Sequence, residues 1–454
     1  MLRAKKIDAT QGALIPLIIA YAIPLILSTL VQTLFNAVDT VVLGNMADST
    51  AVASVGATTS IVHLLVNTFV GIASGLKIVM ARYFGARNGE AIKKAADTSI
   101  LTALGLGVII AAAGIALAPW FLEMTGCPED CLEGALIYIR IYVAAAPAIL
   151  VYNFGSSVIT SAGDTQRPLY YIIAGGLLNV ILNIILCLIL PQKVIAVAVA
   201  TAASQILCAG LVLSRMTHME GDGRIDLRRM QFHFPSFLEM MRYGLPLALS
   251  TSLYPISNLQ IQSAINTYGV SAVAGNSAGA TLEGFVGAFN GAFASTTTVF
   301  MGQNIGARKI DRVHQSTRYC LILSVIANGM VGITMFLTGR FWLGFILPND
   351  PAAVNYAMVR MMYVCAFYFV AAINGVLGHA VQSFGYPLYS TVASIAFIFG
   401  FRIVWMWWIY PLFENFHVLM LCFTVSWSLL MLCNIISYFV FRRIFEKKQM
   451  RIIS

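Results

Sequence analysis

From residue 14 to residue 441 the chain is a succession of apolar stretches, each long enough to cross a bilayer and each ended by Gly, Pro or charge. The hydrocarbon core takes about 20 apolar residues as a helix, because a spanning segment must satisfy its own backbone N–H and C=O groups. Twelve spans are predicted, at 14–42, 52–78, 97–121, 134–160, 168–190, 194–214, 238–266, 272–299, 317–338, 354–381, 387–411 and 417–441. Little chain remains for a soluble domain. Only 10% of the residues are charged and 59% are hydrophobic, whereas soluble domains carry about 25% charge. A soluble enzyme, a nucleic-acid binder and a disordered chain are excluded. The fold class expected is all-α and integral to the membrane, with twelve transmembrane helices. The first apolar run is too long for a cleaved signal and lacks a small-residue cleavage site.

The net charge of +9 has a topological reading. With the N-terminus inside, 22 of the 28 Lys and Arg fall on inner segments, among them Arg3, Lys5, Lys6, Arg82, Arg87, Arg308, Lys309 and Arg442. Only Lys193 and Arg340 fall on outer loops, and Lys77, Arg140, Arg360 and Arg402 lie in or near spans. Cytoplasmic loops of membrane proteins collect Lys and Arg. The expectation is a multi-pass protein of the plasma (inner) membrane with both termini cytoplasmic. Of the eight Cys, six lie in apolar segments and act as small hydrophobes. Cys127 and Cys131 share the polar loop GCPEDC, where spare thiols, a disulfide or a weak metal pair are the alternatives.

The sequence repeats itself. YAIPLILSTLVQTLFN at 21–36 matches YGLPLALSTSLYPISN at 243–258 in seven of sixteen positions. GAR at 85–87 recurs at 306–308, Arg140 corresponds to Arg360, SAG at 161–163 to SFG at 383–385, and RPLY at 167–170 to YPLY at 386–389. The offsets stay between 219 and 222. A duplication gives two pseudo-symmetric six-helix lobes of one orientation: an N-terminal lobe over 1–214, a cytoplasmic loop over 215–237, and a C-terminal lobe with a basic tail over 238–454. Such repeats are a recurrent transporter plan with the substrate site between the halves. One pair of lobes suffices, so a monomer is expected, with membrane lipid and small organic molecules as partners.

Ionisable groups inside a membrane are costly and mark function. Asp39 lies well within the first span, and its counterpart at an offset of 222 is Ile261. A structural need shared by both lobes predicts symmetry, whereas a cation site in one lobe explains this difference. Asn36 stands one turn away, Asn179 and Asn183 are spaced i and i+4 on one face of the fifth span, and Thr201 is in the sixth. Carboxylate, amide and hydroxyl oxygens suit a hard cation such as sodium, and a carboxylate held out of water can equally carry a proton. The bland alternative is a buried network that pins helices together.

Glu283, in the eighth span among small residues, either anchors a cationic substrate or pairs with Arg402 of the eleventh. Arg402 falls opposite Asn183 at an offset of 219, another difference between the halves. His63 and His379 lie in spans, where His titrates near neutral pH. The 19 Met and 18 Tyr supply soft and aromatic surface for an adaptable cavity. Pro24 can kink the first span and move Asp39, although Pro246 repeats the feature.

The chain resembles the multidrug and toxic compound extrusion (MATE) family over nearly its whole length. The likeness rests on PLILSTLVQTLFNAVDTVVLG at 24–44, ARYFGARNGEAIKKA at 81–95, SAGDTQRPLY at 161–170, GLLNVILNIIL at 176–186, AVATAASQ at 198–205, AGNSAGATLEGF at 274–285 and FMGQNIGARKIDR at 300–312. It implies the MATE fold, a V-shaped pair of six-helix lobes, and cation-coupled efflux by alternating access. Asp39 matches the first-lobe acid that binds the coupling proton or sodium in bacterial members, with Asn179 and Thr201 around it. Asn183 departs from the pattern, since many members carry a second Asp there. Second-lobe acids of some relatives are replaced, with Tyr254 and Ala371 near their places, while related members often carry Glu at the position of Glu283.

The function expected is an antiporter that exports organic cationic or amphipathic compounds in exchange for H+ or Na+, with no cofactor. No Walker A motif is present, which argues against an ATPase. A flippase for a lipid-linked precursor is the alternative. It would want a cavity rich in Arg and Lys, and the buried basic set here is thin. A membrane enzyme would want clustered His, paired acids or a nucleophile arrangement, and none is found.

Overall fold

Gly, Pro and charged residues cut the apolar runs into helices whose backbone groups are satisfied internally, as a bilayer demands. The computed structural model describes residues 6–46, 49–124, 127–219, 221 and 223–453; Arg3 and Lys5 of the inner basic set lie outside them. Among the described residues the regular structure is helical. In order, the helices are α1 (Leu14–Met46), α2 (Ser49–Gly85), α3 (Gly89–Met124), α4 (Glu129–Ala144), α5 (Ala146–Ser161), α6 (Gln166–Ile189) and α7 (Lys193–Thr217). There follow α8 (Phe234–Asn266), α9 (Val270–Gly306), α10 (Ile310–Leu337), α11 (Gly339–Ile346), α12 (Pro351–Tyr363), α13 (Tyr368–Ser383), α14 (Pro387–Ser394), α15 (Phe401–Val404) and α16 (Phe416–Ile453).

Helices stand at all twelve predicted places, and they differ in length and apolarity. Among the described residues eight helices are long and apolar enough to cross a membrane, and two bent pairs raise the number to ten. The fourth and tenth predicted spans are those pairs: α4 and α5 meet at 44°, α12 and α13 at 45°. At the seventh and eighth places stand α8 and α9, of 33 and 37 residues, which carry too many Ser, Thr, Asn and Gln to reach the same apolarity. The eleventh span is interrupted by π-helix at Ile395–Gly400 and Trp405–Ile409 on either side of α15. Wide turns free a backbone carbonyl, and Ser257 Oγ donates to that of Ile398 at 2.8 Å.

The helices form two compact units. Unit 1 holds Met1–Asp8 and Leu27–Leu245; unit 2 holds Ala9–Ile26 and Pro246–Ser454. Residues 9–26, expected in the first lobe, thus group with the second. The physical reason is a set of directed bonds that hydropathy does not reveal. Gln303 Oε1 accepts from the Ala9 N–H at 2.9 Å, Lys309 Nζ donates to the Thr10 carbonyl at 2.8 Å, and Arg312 donates to the carbonyls of Ala9 and Gly12 at 3.0 Å each. The buried Tyr21 ring packs edge-on against Phe300 with centroids 5.6 Å apart. Conversely, the stretch 215–245 belongs to unit 1, where His233 N–H donates to Thr98 Oγ1 at 3.0 Å.

The duplication read from the sequence recurs as geometry inside each unit. The GAR arginines both take the left-handed conformation, Arg87 at φ 52° and Arg308 at φ 57°. Gly163 and Gly385, the glycines of SAG and SFG, do so at 93° and 108°. Gly163 has a second constraint: its carbonyl accepts from Ile7 N–H at 3.0 Å, and a Cβ there would lie 2.0 Å from the Ile7 carbonyl oxygen. Gly163→Ala should therefore destabilise the protein by about 1–3 kcal/mol through backbone strain alone, with the clash adding to it. Thermal unfolding of the purified variant checks this, and an unchanged Tm would remove the argument.

Candidate functional site

Asp39 lies on α1 with its side chain half-buried, among helices that carry its partners. The i, i+4 spacing of Asn179 and Asn183 on α6 brings both amides to one face, and both are buried. Asn183 Nδ2 donates to Asp39 Oδ1 at 2.6 Å and lies 3.2 Å from Asn179 Oδ1. Thr201 of α7 completes the group, with its hydroxyl 3.4 Å from Asn179 Nδ2. Turned over, the Asn179 amide donates instead to Asp39 Oδ2 at 3.1 Å, an orientation that satisfies an ionised carboxylate better. Asn183 Oδ1 is buried and has no hydrogen-bond partner. The four residues thus form one cluster inside unit 1, with an orphaned acceptor beside a carboxylate. A buried polar atom without a partner is costly, and this one has the polarity to accept a proton donor or ligate a cation.

Asn36, one turn from Asp39, is exposed. Tyr138 of α4, buried and stacked on Tyr142 with centroids 6.3 Å apart, lies within electrostatic reach of Asp39; the sequence did not single it out. Nothing comparable stands at the second-lobe counterpart. Ile261 is 1% exposed, in a hydrophobic cluster with Tyr368, Phe423 and Trp427.

Unit 2 assembles a different set. Glu283 of α9 does not pair with Arg402, one of the two alternatives raised for it. It accepts from Arg360 Nη2 at 2.6 Å, and Arg360 Nη1 donates to Asn276 Oδ1 at 2.5 Å. The break before α13 leaves Arg360 in the last turn of α12, facing α9 three and a half turns from its start. Arg402 is fully buried on α15; its Nη1 donates to Asn258 Oδ1 at 2.9 Å and its Nε to Ser426 Oγ at 3.2 Å. The guanidinium lies 4.5 Å from the Phe423 ring centroid and 5.6 Å from that of Tyr254. Tyr254 and Arg402 therefore meet. His379 does not join them: its Nδ1 is 2.9 Å from Thr298 Oγ1, about 22 Å along α9 from Glu283 at 1.5 Å per residue. Pro24 is buried in α1, two residues before the chain passes from unit 2 to unit 1, and Pro246 is the first residue of α8 in unit 2. All eight cysteines are free, Cys127 and Cys131 included.

Comparison with known proteins places this arrangement. The family model MatE matches twice, over residues 24–185 and 246–408, one match for each half of the duplication. The chain is 24% identical over 392 residues to the probable multidrug resistance protein YoeA of Bacillus subtilis, covering 84% of each chain. It is 22% identical to a FAD transporter of Shewanella oneidensis, covering 80% of each. Its fold is that of a solved multidrug resistance MATE transporter in an outward-facing conformation, with a TM-score of 0.89 at 19% identity over 98% of this chain and 99% of that one. The doubled match, the all-helical fold and the membrane character agree: the chain belongs to the MatE family, the multidrug and toxic compound extrusion transporters, and is a transporter rather than an enzyme.

Proposed function

We propose that this transporter is an antiporter in which a proton or sodium ion loads at Asp39 and drives export of an amphipathic organic compound by alternating access. The observation that carries the reading is the cluster of Asp39, Asn179, Asn183 and Thr201, with a buried unpartnered acceptor in unit 1 and an aliphatic residue at the equivalent place in unit 2. An amide serves both states of the carboxyl group: its nitrogen donates to the anion, and its oxygen accepts from the protonated acid. Asn179 stands where either orientation meets Asp39. The single acid favours a proton, while the surrounding oxygens also suit sodium. In this reading the protein works as a monomer in the plasma membrane, in contact with lipid, and the basic-residue distribution supports cytoplasmic termini.

The test is export from proteoliposomes driven separately by a pH gradient and by a sodium gradient. Either gradient should drive the wild-type protein; export indifferent to both overturns the reading. Asn183→Asp supplies a second carboxylate beside the first and should raise sodium-dependent export several-fold at fixed pH, since more anionic oxygen selects a metal cation over a single proton. A sodium titration of the two proteins reads that change. Identical sodium responses would show that Asn183 does not face the ion.

A further inference from the structure

We propose that unit 2 holds an anion-binding subsite at Arg402, which takes the carboxylate or phosphate of an aromatic, amphipathic compound. This rests on the efflux reading and narrows its substrate class.

Arg402 is 0% exposed, and an arginine does not shed its proton in a protein. A buried charge is ordinarily paired, because an isolated one is expensive to desolvate. Arg402 is held only by neutral groups, the Asn258 amide, the Ser426 hydroxyl and the Tyr254 hydroxyl. Its Nη2 is buried and makes no hydrogen bond. Among the described residues no acid lies within ion-pair distance of it, and Glu283, for which a pair with Arg402 was one of two alternatives, is taken by Arg360. Arg360 lies over the same Phe423 ring, at 5.2 Å. Two guanidiniums and one carboxylate thus share one aromatic floor, and the cluster is one anion short.

The remaining features fit a ligand rather than a packing accident. Asn258 and Ser426 fix the guanidinium fork in place and leave Nη2 free, and the fork is shaped for carboxylate and phosphate. Tyr254 is the cover: its ring lies over Arg402, yet the residue is 37% exposed. Turning that side chain, at the cost of its hydrogen bond to Arg402, would open a way to the charge. Beneath lie Phe423, Tyr368 and Trp427, the last two in edge contact at 5.5 Å, as a bed for an aromatic body. The position also has a history. At the offsets of the duplication Asn183 falls on Arg402, Thr201 on Phe423 and Asn36 on Asn258. The place that holds an acid and its amides in unit 1 holds a base in unit 2, so the two copies of one ancestral site have opposite polarity. The π-helical turns flanking α15 mark the same spot, and such turns concentrate at functional sites.

The test is calorimetric binding to the full-length protein in phosphatidylcholine nanodiscs, using 2-naphthoate, 2-naphthyl phosphate and the matched cation 2-naphthylmethylammonium. Both anions should bind. Arg402→Gln should raise their Kd at least tenfold and leave the ammonium within twofold. Arg402→Lys keeps the charge without the fork and should give an intermediate loss; it also serves where the Gln variant does not fold. Anions that fail to bind the wild type, or that bind all three proteins equally, overturn the proposal. Repeating the titration in discs with phosphatidylglycerol distinguishes the sources. Weaker naphthoate binding there, seen only with Arg402 present, supports a lipid phosphate as the occupant; unchanged binding supports a soluble organic anion. Anion binding lost in Arg402→Gln, in a protein that shows no gradient-driven export, would keep the subsite and overturn the efflux reading. Gradient-driven export without anion binding would do the reverse.

Discussion

Asp39→Asn should abolish gradient-driven accumulation while leaving the helices in place. The substitution keeps the shape and hydrogen-bonding capacity of the side chain, so the contact with Asn183, 2.6 Å in the wild type, has a neutral replacement. What is removed is the negative charge and the capacity to take and release a proton. A ligand shifts a conformational equilibrium only by its differential affinity for the two states, so an ion that no longer binds does no work. One charge moved across a membrane supplies about 2.3 kcal/mol per 100 mV, and every 1.4 kcal/mol is tenfold. The variant should therefore lose about forty-fold of concentrating power per 100 mV for a one-charge cycle. Downhill exchange of substrate for substrate needs no ion and should survive. The measurement is paired: uphill uptake into energised vesicles, and equilibrium exchange in the same vesicles without a gradient. A variant that still concentrates substrate would remove Asp39 from the coupling role. One that loses both activities would return the cluster to the reading in which it only pins α1, α6 and α7 together.

That cluster was legible in the sequence because each clue was local or additive. An acid in an apolar run, two amides four residues apart and a duplication lacking the acid in its second copy all survive without coordinates. The orphaned Asn183 oxygen was not legible, since it depends on which way the amide turns toward Asp39. Of the two alternatives for Glu283, the pairing with Arg402 fails because pairing there depends on helix rotation, and the 45° break between α12 and α13 is invisible to hydropathy. In the sequence Arg360 is the counterpart of Arg140 and a base in or near a span, and neither property names its partner. The grouping of residues 9–26 with the second unit rests on side chains of Gln303, Lys309 and Arg312 bonding a few backbone groups, and no periodicity announces such bonds. Tyr138 entered for a similar reason: one aromatic among many on an apolar helix has no signal until α4 is laid near Asp39.

The Glu283–Arg360 pair should be the most stability-sensitive contact in unit 2. The two side chains retain 15% and 9% of their exposure, and the bond between them is 2.6 Å long. Breaking such a pair by deleting one partner strands the other charge and costs about 3–5 kcal/mol, whereas replacing both with apolar groups of similar volume is often neutral or favourable. Glu283→Gln should therefore lower the Tm by about 5–10 °C, taking about 2 °C per kcal/mol for a large chain. The double variant Glu283→Gln with Arg360→Met should recover most of that loss, because Asn276 is then left with a satisfiable neutral amide rather than an unpaired cation beside it. Arg402, 0% exposed and already without an acid, makes the contrast sharper. In the single variant two buried guanidiniums would share the Phe423 ring with no carboxylate among them, so the loss should shrink when an organic anion is added. Thermal unfolding of the wild type, the single and the double variants, each with and without 2-naphthoate, separates these effects. A single variant as stable as the wild type would show that Glu283 is not the counter-charge of this cluster. Equal losses in the single and double variants would show that packing, and not stranded charge, sets the cost.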